Sequence, residues 1–127
     1  MIRKDIYKID IQNNLYFLVF HKTVNDGFGS AVSLYVNNYE FLKFDCFGEN
    51  KGHYHIYDTK KNEVIYFTEK TCIEQINQTV YLLINNIKKL LNKSNLKIIK
   101  WKEYINKIDI IKNKMLEYEQ THYSLLR

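Results

Sequence analysis

Between Lys4 and Phe67 the chain repeats one pattern six times: a short run rich in Tyr, Phe and β-branched residues, then a break made largely of Asn, Gly or Asp. Such runs fit a pleated, half-buried surface, and such breaks tolerate left-handed backbone. Consecutive runs are therefore expected to pair as antiparallel strands joined by turns. The runs fall at about 4–11, 15–23, 30–36, 40–47, 53–58 and 63–67. The breaks are Asn13-Asn14, Asn25 to Gly29, Asn37-Asn38, Gly48 to Gly52 and Thr59 to Asn62.

The pattern changes near Thr71. Thr71-Cys72-Ile73-Glu74 matches a capping box, in which the threonine hydroxyl accepts from a free amide and the glutamate reaches back. A helix should start there, with an apolar stripe of Ile73, Ile76, Val80, Leu83, Ile84, Ile87, Leu90 and Leu91. Asn92 to Asn95 reads as its stop. Trp101, Ile105, Ile108, Ile111, Met115 and Tyr118 then repeat at threes and fours, the spacing of a second helix, while periodicity leaves Leu96 to Trp101 open between a first turn and a short strand. The expected fold is α+β: a curved antiparallel meander of five to six strands over residues 1–70, then two amphipathic helices over 71–127 packed on one face. The whole chain, 1–127, reads as one domain.

Composition narrows the class. The chain has 127 residues, of which 46% are hydrophobic and 26% charged, enough apolar material for one core. The longest apolar run of the first half, Leu15 to Phe20, falls far short of the ~20 residues a membrane span needs. No secretory signal is visible, and two cysteines in unrelated contexts fit a reducing cytoplasm. The net charge of +5 is unevenly placed: residues 1–72 carry nine basic and nine acidic groups, whereas residues 73–127 carry ten and five.

The stretch Phe41 to Asp58 is the most informative. If Gly48 to Gly52 is a loop, Phe47 faces His53, Asp45 faces His55 and Lys43 faces Tyr57, all six on one side of the sheet. The other side, Leu42, Phe44, Cys46, Tyr54 and Ile56, suits packing under the first helix. A three-residue turn, Asn37-Asn38-Tyr39, would put Val32 and Leu34 on that apolar side as well, leaving Ser33 with the polar set. An acid, two imidazoles, an amine and a phenol on neighbouring strands supply general acid, general base and charge stabilisation, with Asp45 placed to orient His55. The same residue types also occur on a merely solvated sheet face. His-x-His with Asp45 further offers three donors to zinc or manganese, although no fourth ligand is evident and the expected site holds no metal and no cofactor. His21 and His122 look structural or exposed, and Cys46 reads as a buried thiol.

Lys43-Phe44-Asp45, a glycine-containing loop and then Gly52-His53-Tyr54-His55 resemble the signature of TumE-type toxins of small prokaryotic toxin–antitoxin modules. The resemblance covers about residues 30–67, with lysine where that pattern has arginine. It implies a toxin or defence-related protein acting on RNA, with an antitoxin-like partner.

From Lys88 to Lys114 there are nine lysines and two acids. Lys93, Lys97, Lys100, Lys107 and Lys114 recur at fours and sevens, so a continuous helix would align them into a phosphate-tracking stripe; a solvated helix face is the alternative. The absence of arginine there argues against bidentate recognition. Three functions follow as expectations. The first is a metal-independent endoribonuclease using His53, His55, Asp45, Lys43 and Tyr57. The second is a non-enzymatic subunit or inhibitor docking through its helices onto a protein partner or a second copy in a homodimer. The third is a metal-dependent hydrolase. None involves a membrane.

Overall fold

Six strands, Ile2–Gln12 (β1), Leu15–Val24 (β2), Gly27–Val36 (β3), Tyr39–Cys46 (β4), His53–Asp58 (β5) and Lys61–Tyr66 (β6), form one antiparallel sheet in chain order. Helices follow at Cys72–Asn85 (α1), Ile87–Leu91 (α2) and Trp101–Thr121 (α3), with a 3-10 turn over Asn92–Ser94. The fold is α+β. The computed structural model describes residues 1–58 and 61–122, apart from the side chains of Asp58, Lys61 and Lys93. No helix among the described residues is long and apolar enough to cross a membrane.

The asparagines set the turns. Asn14, Asn37, Asn38 and Asn50 all adopt positive φ, which asparagine tolerates better than other residues with a Cβ. The β3–β4 turn is shorter than expected. Asn37-Asn38 is a two-residue turn, φ 52° and 66°, with Val36 paired to Tyr39. A two-residue turn alone would rotate Val32 and Leu34 to the wrong face. A bulge restores the parity: Tyr35 pairs with Glu40 and Leu34 with Leu42, so Phe41 is the extra residue. Val32 and Leu34 thus meet Phe44 and Leu42, as the hydrophobic pattern demanded.

The apolar side of the sheet, with Phe17, Val19, Val32, Leu34, Leu42, Phe44 and Ile56, packs with Ile76 and Leu83 of α1 and with Ile108, Ile111 and Met115 of α3. Thr71 caps α1 as predicted: its Oγ1 accepts from the Glu74 amide at 3.1 Å and the Thr71 amide donates to Glu74 Oε1 at 3.2 Å. The stripe is neither uniform nor continuous. Ile73 is exposed, Gln75 and Thr79 take buried places on α1, and the helix is broken at Asn86 before α2. Asn95, in the left-handed region at φ 57°, ends the 3-10 turn. Leu96 to Ile98 is neither helix nor strand; Gln12 holds this segment, donating to Lys97 O at 2.9 Å and accepting from the Ile99 amide at 3.0 Å. Tyr104, fully buried, donates to Leu83 O at 2.6 Å and ties α3 to α1.

The face away from the helices is concave. Phe20, Ala31 and Ser33 on it are fully buried without a helix above them. Arg3 of β1 lies over the Phe20 ring, 4.4 Å from its centroid, and reaches Glu40 of β4 at 3.5 Å. Three strand spacings in a flat sheet amount to ~14 Å, so such a contact requires the sheet to curl.

Candidate functional site

The concave face is ordered in rows. One runs across the sheet through Phe20, Ala31, Asp45, His53 and Tyr66; the next through Leu18, Ser33, Lys43, His55 and Val64. Asp45 is therefore opposite His53, and Lys43 opposite His55. This corrects the predicted pairing of Asp45 with His55 and of Lys43 with Tyr57. The cause is the loop after β4, which begins at Phe47 rather than Gly48. Gly48 takes φ 92°, and its carbonyl accepts from the Lys51 and Gly52 amides at 3.1 and 2.8 Å. The fully buried Gln75 of α1 clamps it, Oε1 accepting from the Gly48 amide and Nε2 donating to the Gly48 carbonyl, both at 2.9 Å. Phe47 leaves the ladder and packs beside Gly27, its ring edge-on to His53 at 6.0 Å. Moving the register by two residues changes the partners but preserves the face, so the predicted set still gathers on one side.

Asp45 is 2% exposed, and its Oδ2 accepts from two groups: Lys22 Nζ at 3.0 Å and His53 Nε2 at 3.3 Å. Lys22 was not singled out by the sequence, because it lies on β2, two strands from Asp45. It reaches across β3 where that strand carries no bulk: Lys22 pairs with Gly29, and Asp45 with Ala31. This pair of small residues is the one sequence signal that could have revealed it. Burial lowers the Lys22 pKa against the opposing pull of Asp45. For Asp45, burial acts to raise the pKa, but the His53 hydrogen bond and the Lys22 charge prevail and hold the carboxyl below its usual range.

The two histidines have opposite surroundings. His53 has an acceptor at each nitrogen, Asp45 at Nε2 and the Lys51 carbonyl at Nδ1, 2.8 Å away. The Asp45 hydrogen bond, opposed by burial and aided by Lys51, raises its pKa. His55 places Nδ1 3.2 Å from Asn62 Oδ1, which fixes that nitrogen as the donor and leaves Nε2 with its lone pair. Burial, with the charges of Lys43 and His53, lowers its pKa although Asn62 opposes the shift. The rings meet edge-on at 4.9 Å. Tyr57 stacks flat on His55 at 5.3 Å, and Lys43 Nζ lies 5.7 Å from the Tyr57 ring centroid.

Residues 11–120 match the family described as Domain of unknown function (DUF7700). The chain belongs to that family. No curated protein and no solved structure matches it. For this DUF7700 domain, then, chemistry must be read from its own residues.

Two further features bear on what the face can hold. Ligand atoms of Asp45, His53 and His55 lie within 4.8 Å of one another, a spacing open to a metal ion; yet the Lys22 ammonium already neutralises the carboxylate at 3.0 Å, and a divalent ion would sit against that charge. Among the described residues, Asp45 Oδ1, Ser33 Oγ and Arg3 Nε are buried polar atoms with no hydrogen-bond partner, and all three belong to the concave face.

The predicted basic stripe is not assembled, because no continuous helix carries it. Lys97 lies in the connection before α3 and Lys100 at the N-cap position of α3; the side chain of Lys93 is outside the described residues. Lys107 donates to the Asp10 carbonyl of β1, and Lys114 covers Tyr7 at 4.7 Å while pairing with Glu117 at 3.5 Å. Trp101 stacks on Tyr104 at 5.2 Å under the Lys88 ammonium. Cys46 is buried as expected, 3.4 Å from Thr79 Oγ1, and burial pushes its thiol pKa up. His21 and His122 meet each other: their rings stack at 3.9 Å, and His122 meets Asp5 at 2.9 Å.

Proposed function

We propose that the concave face cleaves RNA by metal-independent acid–base catalysis, as the resemblance to TumE-type toxins also suggests, and that the protein serves as a toxin or defence factor. The observation that carries this reading is the contrast between neighbouring imidazoles: His53 has an acceptor at each ring nitrogen, which favours its charged form, whereas His55 meets one acceptor at Nδ1 and burial favours its neutral form. Pairs of titratable groups pushed apart in this way mark acid and base roles.

In the proposed reaction His55 Nε2 takes the proton of a ribose 2′-hydroxyl and the 2′-oxygen attacks the adjacent phosphorus. The bond from phosphorus to the 5′-oxygen breaks, and the leaving oxygen takes the proton of His53 Nδ1 in place of the Lys51 carbonyl while Nε2 stays on Asp45, giving a 2′,3′-cyclic phosphate and a 5′-hydroxyl. Lys43 faces the developing negative charge, while Lys22 stays buried on Asp45 and keeps that carboxylate ionised beside His53. Asp45 orients His53 rather than His55 and favours its charged form; Tyr57 fixes the plane of His55.

The test is cleavage of single-stranded RNA in the presence of a chelator. His55→Ala and His53→Ala should each lower the rate by about 10²–10⁴-fold, the usual worth of a general acid or base. The pH profile should be a bell. Activity rises as His55 loses its proton, below the ordinary 6.5, and falls as His53 loses its own, above 6.5. Activity abolished by the chelator and restored by zinc or manganese would favour the metal-dependent reading, which the spacing of the three ligand atoms supports.

A further inference from the structure

Both rows of the concave face end on the edge strand β6 in an exposed apolar residue. Tyr66, paired with His53, is 63% exposed, and Val64, paired with His55, is 45% exposed. Tyr66 lies with its ring centroid 5.6 Å from that of His53, so an uncovered aromatic face borders the imidazole that the reaction uses as acid. On the inner side of the same rows stand Lys43 and His53, whose ring favours its charged form, while the Asp45 carboxylate beside it is already paired with the buried Lys22. An apolar, aromatic rim next to a cationic interior matches one nucleotide in composition: a flat base with a phosphate attached.

We infer that Tyr66 is a base-stacking platform that selects single-stranded RNA, with Val64 extending the apolar rim and the scissile phosphate set over the histidine pair. The inference rests on the ribonuclease reading for the identity of the ligand. Its logic is that of single-strand recognition in general, in which an unpaired base lies on an aromatic ring and its backbone runs along positive charge. A duplex hides its base faces and cannot use the platform.

The experiment measures equilibrium binding of a fluorescently labelled, uncleavable 2′-O-methyl oligonucleotide, single-stranded or annealed, to the intact protein and to Tyr66→Ala, Tyr66→Phe and Val64→Ala. Tyr66→Ala should weaken single-strand binding by roughly five- to a hundredfold, the worth of one stacked base. Tyr66→Phe, which keeps the ring, should bind within about twofold of the wild type, and the annealed strand should bind no better than Tyr66→Ala binds the single strand. Equal binding by wild type and Tyr66→Ala, or equal binding of single and double strands, would overturn the inference. Because the readout is binding, a protein that binds through Tyr66 but shows no histidine-dependent cleavage refutes the catalytic reading and leaves the platform standing; histidine-dependent cleavage that Tyr66→Ala leaves unchanged does the reverse.

Discussion

The residue that organises the concave face is Asp45, a carboxylate almost without solvent contact and shared by an ammonium and an imidazole. Taking a charge out of water is costly, and an ion pair offsets that cost only while both members remain. Asp45→Asn would leave Lys22 buried without its counter-charge and is expected to destabilise the protein by about 3–5 kcal/mol, read by chemical denaturation. The acid dependence follows from the direction of the shift. The folded carboxyl is held below its ordinary 3.8, so its contribution is complete above that value and fades as pH falls through the folded-state pKa. In Asp45→Asn this part of the acid-induced loss should be missing. Asp45, His53 and His55 were legible in the sequence because strand alternation places them on one face. Lys22 was not, since its relation to Asp45 depends on Gly29 and Ala31 leaving a path across an intervening strand.

At the scale of elements, the loop between β4 and β5 decides which acid meets which imidazole. Its anchor is Gln75, a polar residue in the stripe of α1, which also donates to the Glu69 carbonyl at 2.9 Å. Gly52 lies directly beneath: a Cβ there would come within 1.9 Å of Gln75 Oε1. Although a glutamine end is flexible, this one cannot move without releasing the Gly48 amide and carbonyl. Gly52→Ala should therefore lower the thermal or urea midpoint, at a cost of about 1–3 kcal/mol for each buried group left unpaired. Gln75→Ala should do the same, and the two effects should not add. The elements themselves were largely readable, because period-2 runs, asparagine turns and a capping box are local signals. What escaped were features set by tertiary contact. The bulge at Phe41 compensates a turn one residue shorter than the pattern implied, and the break at Asn86 interrupts an apolar periodicity that continues through it.

Across the whole molecule, charge and chemistry are divided. The helical half holds the surplus of lysine, but Lys107 and Lys114 turn toward β1 and meet Asp10 and Tyr7. The positive groups beside the histidines are instead Lys22 and Lys43, from a half of the chain with no net charge. Register makes this arrangement: Asp45 of β4 lies opposite His53, Lys22 of β2 reaches Asp45 past Gly29 and Ala31, and the Lys51 carbonyl and Asn62 of β6 meet a ring nitrogen of His53 and of His55. This convergence drives the pKa values of the neighbouring imidazoles apart, His53 upward and His55 downward. The direct measurement is an NMR titration of the ring resonances of His53 and His55 in the intact protein, assigned with the single alanine variants. The expected result is a midpoint above 6.5 for His53 and one below 6.5 for His55. Coincident midpoints near 6.5, or the reverse order, would contradict it.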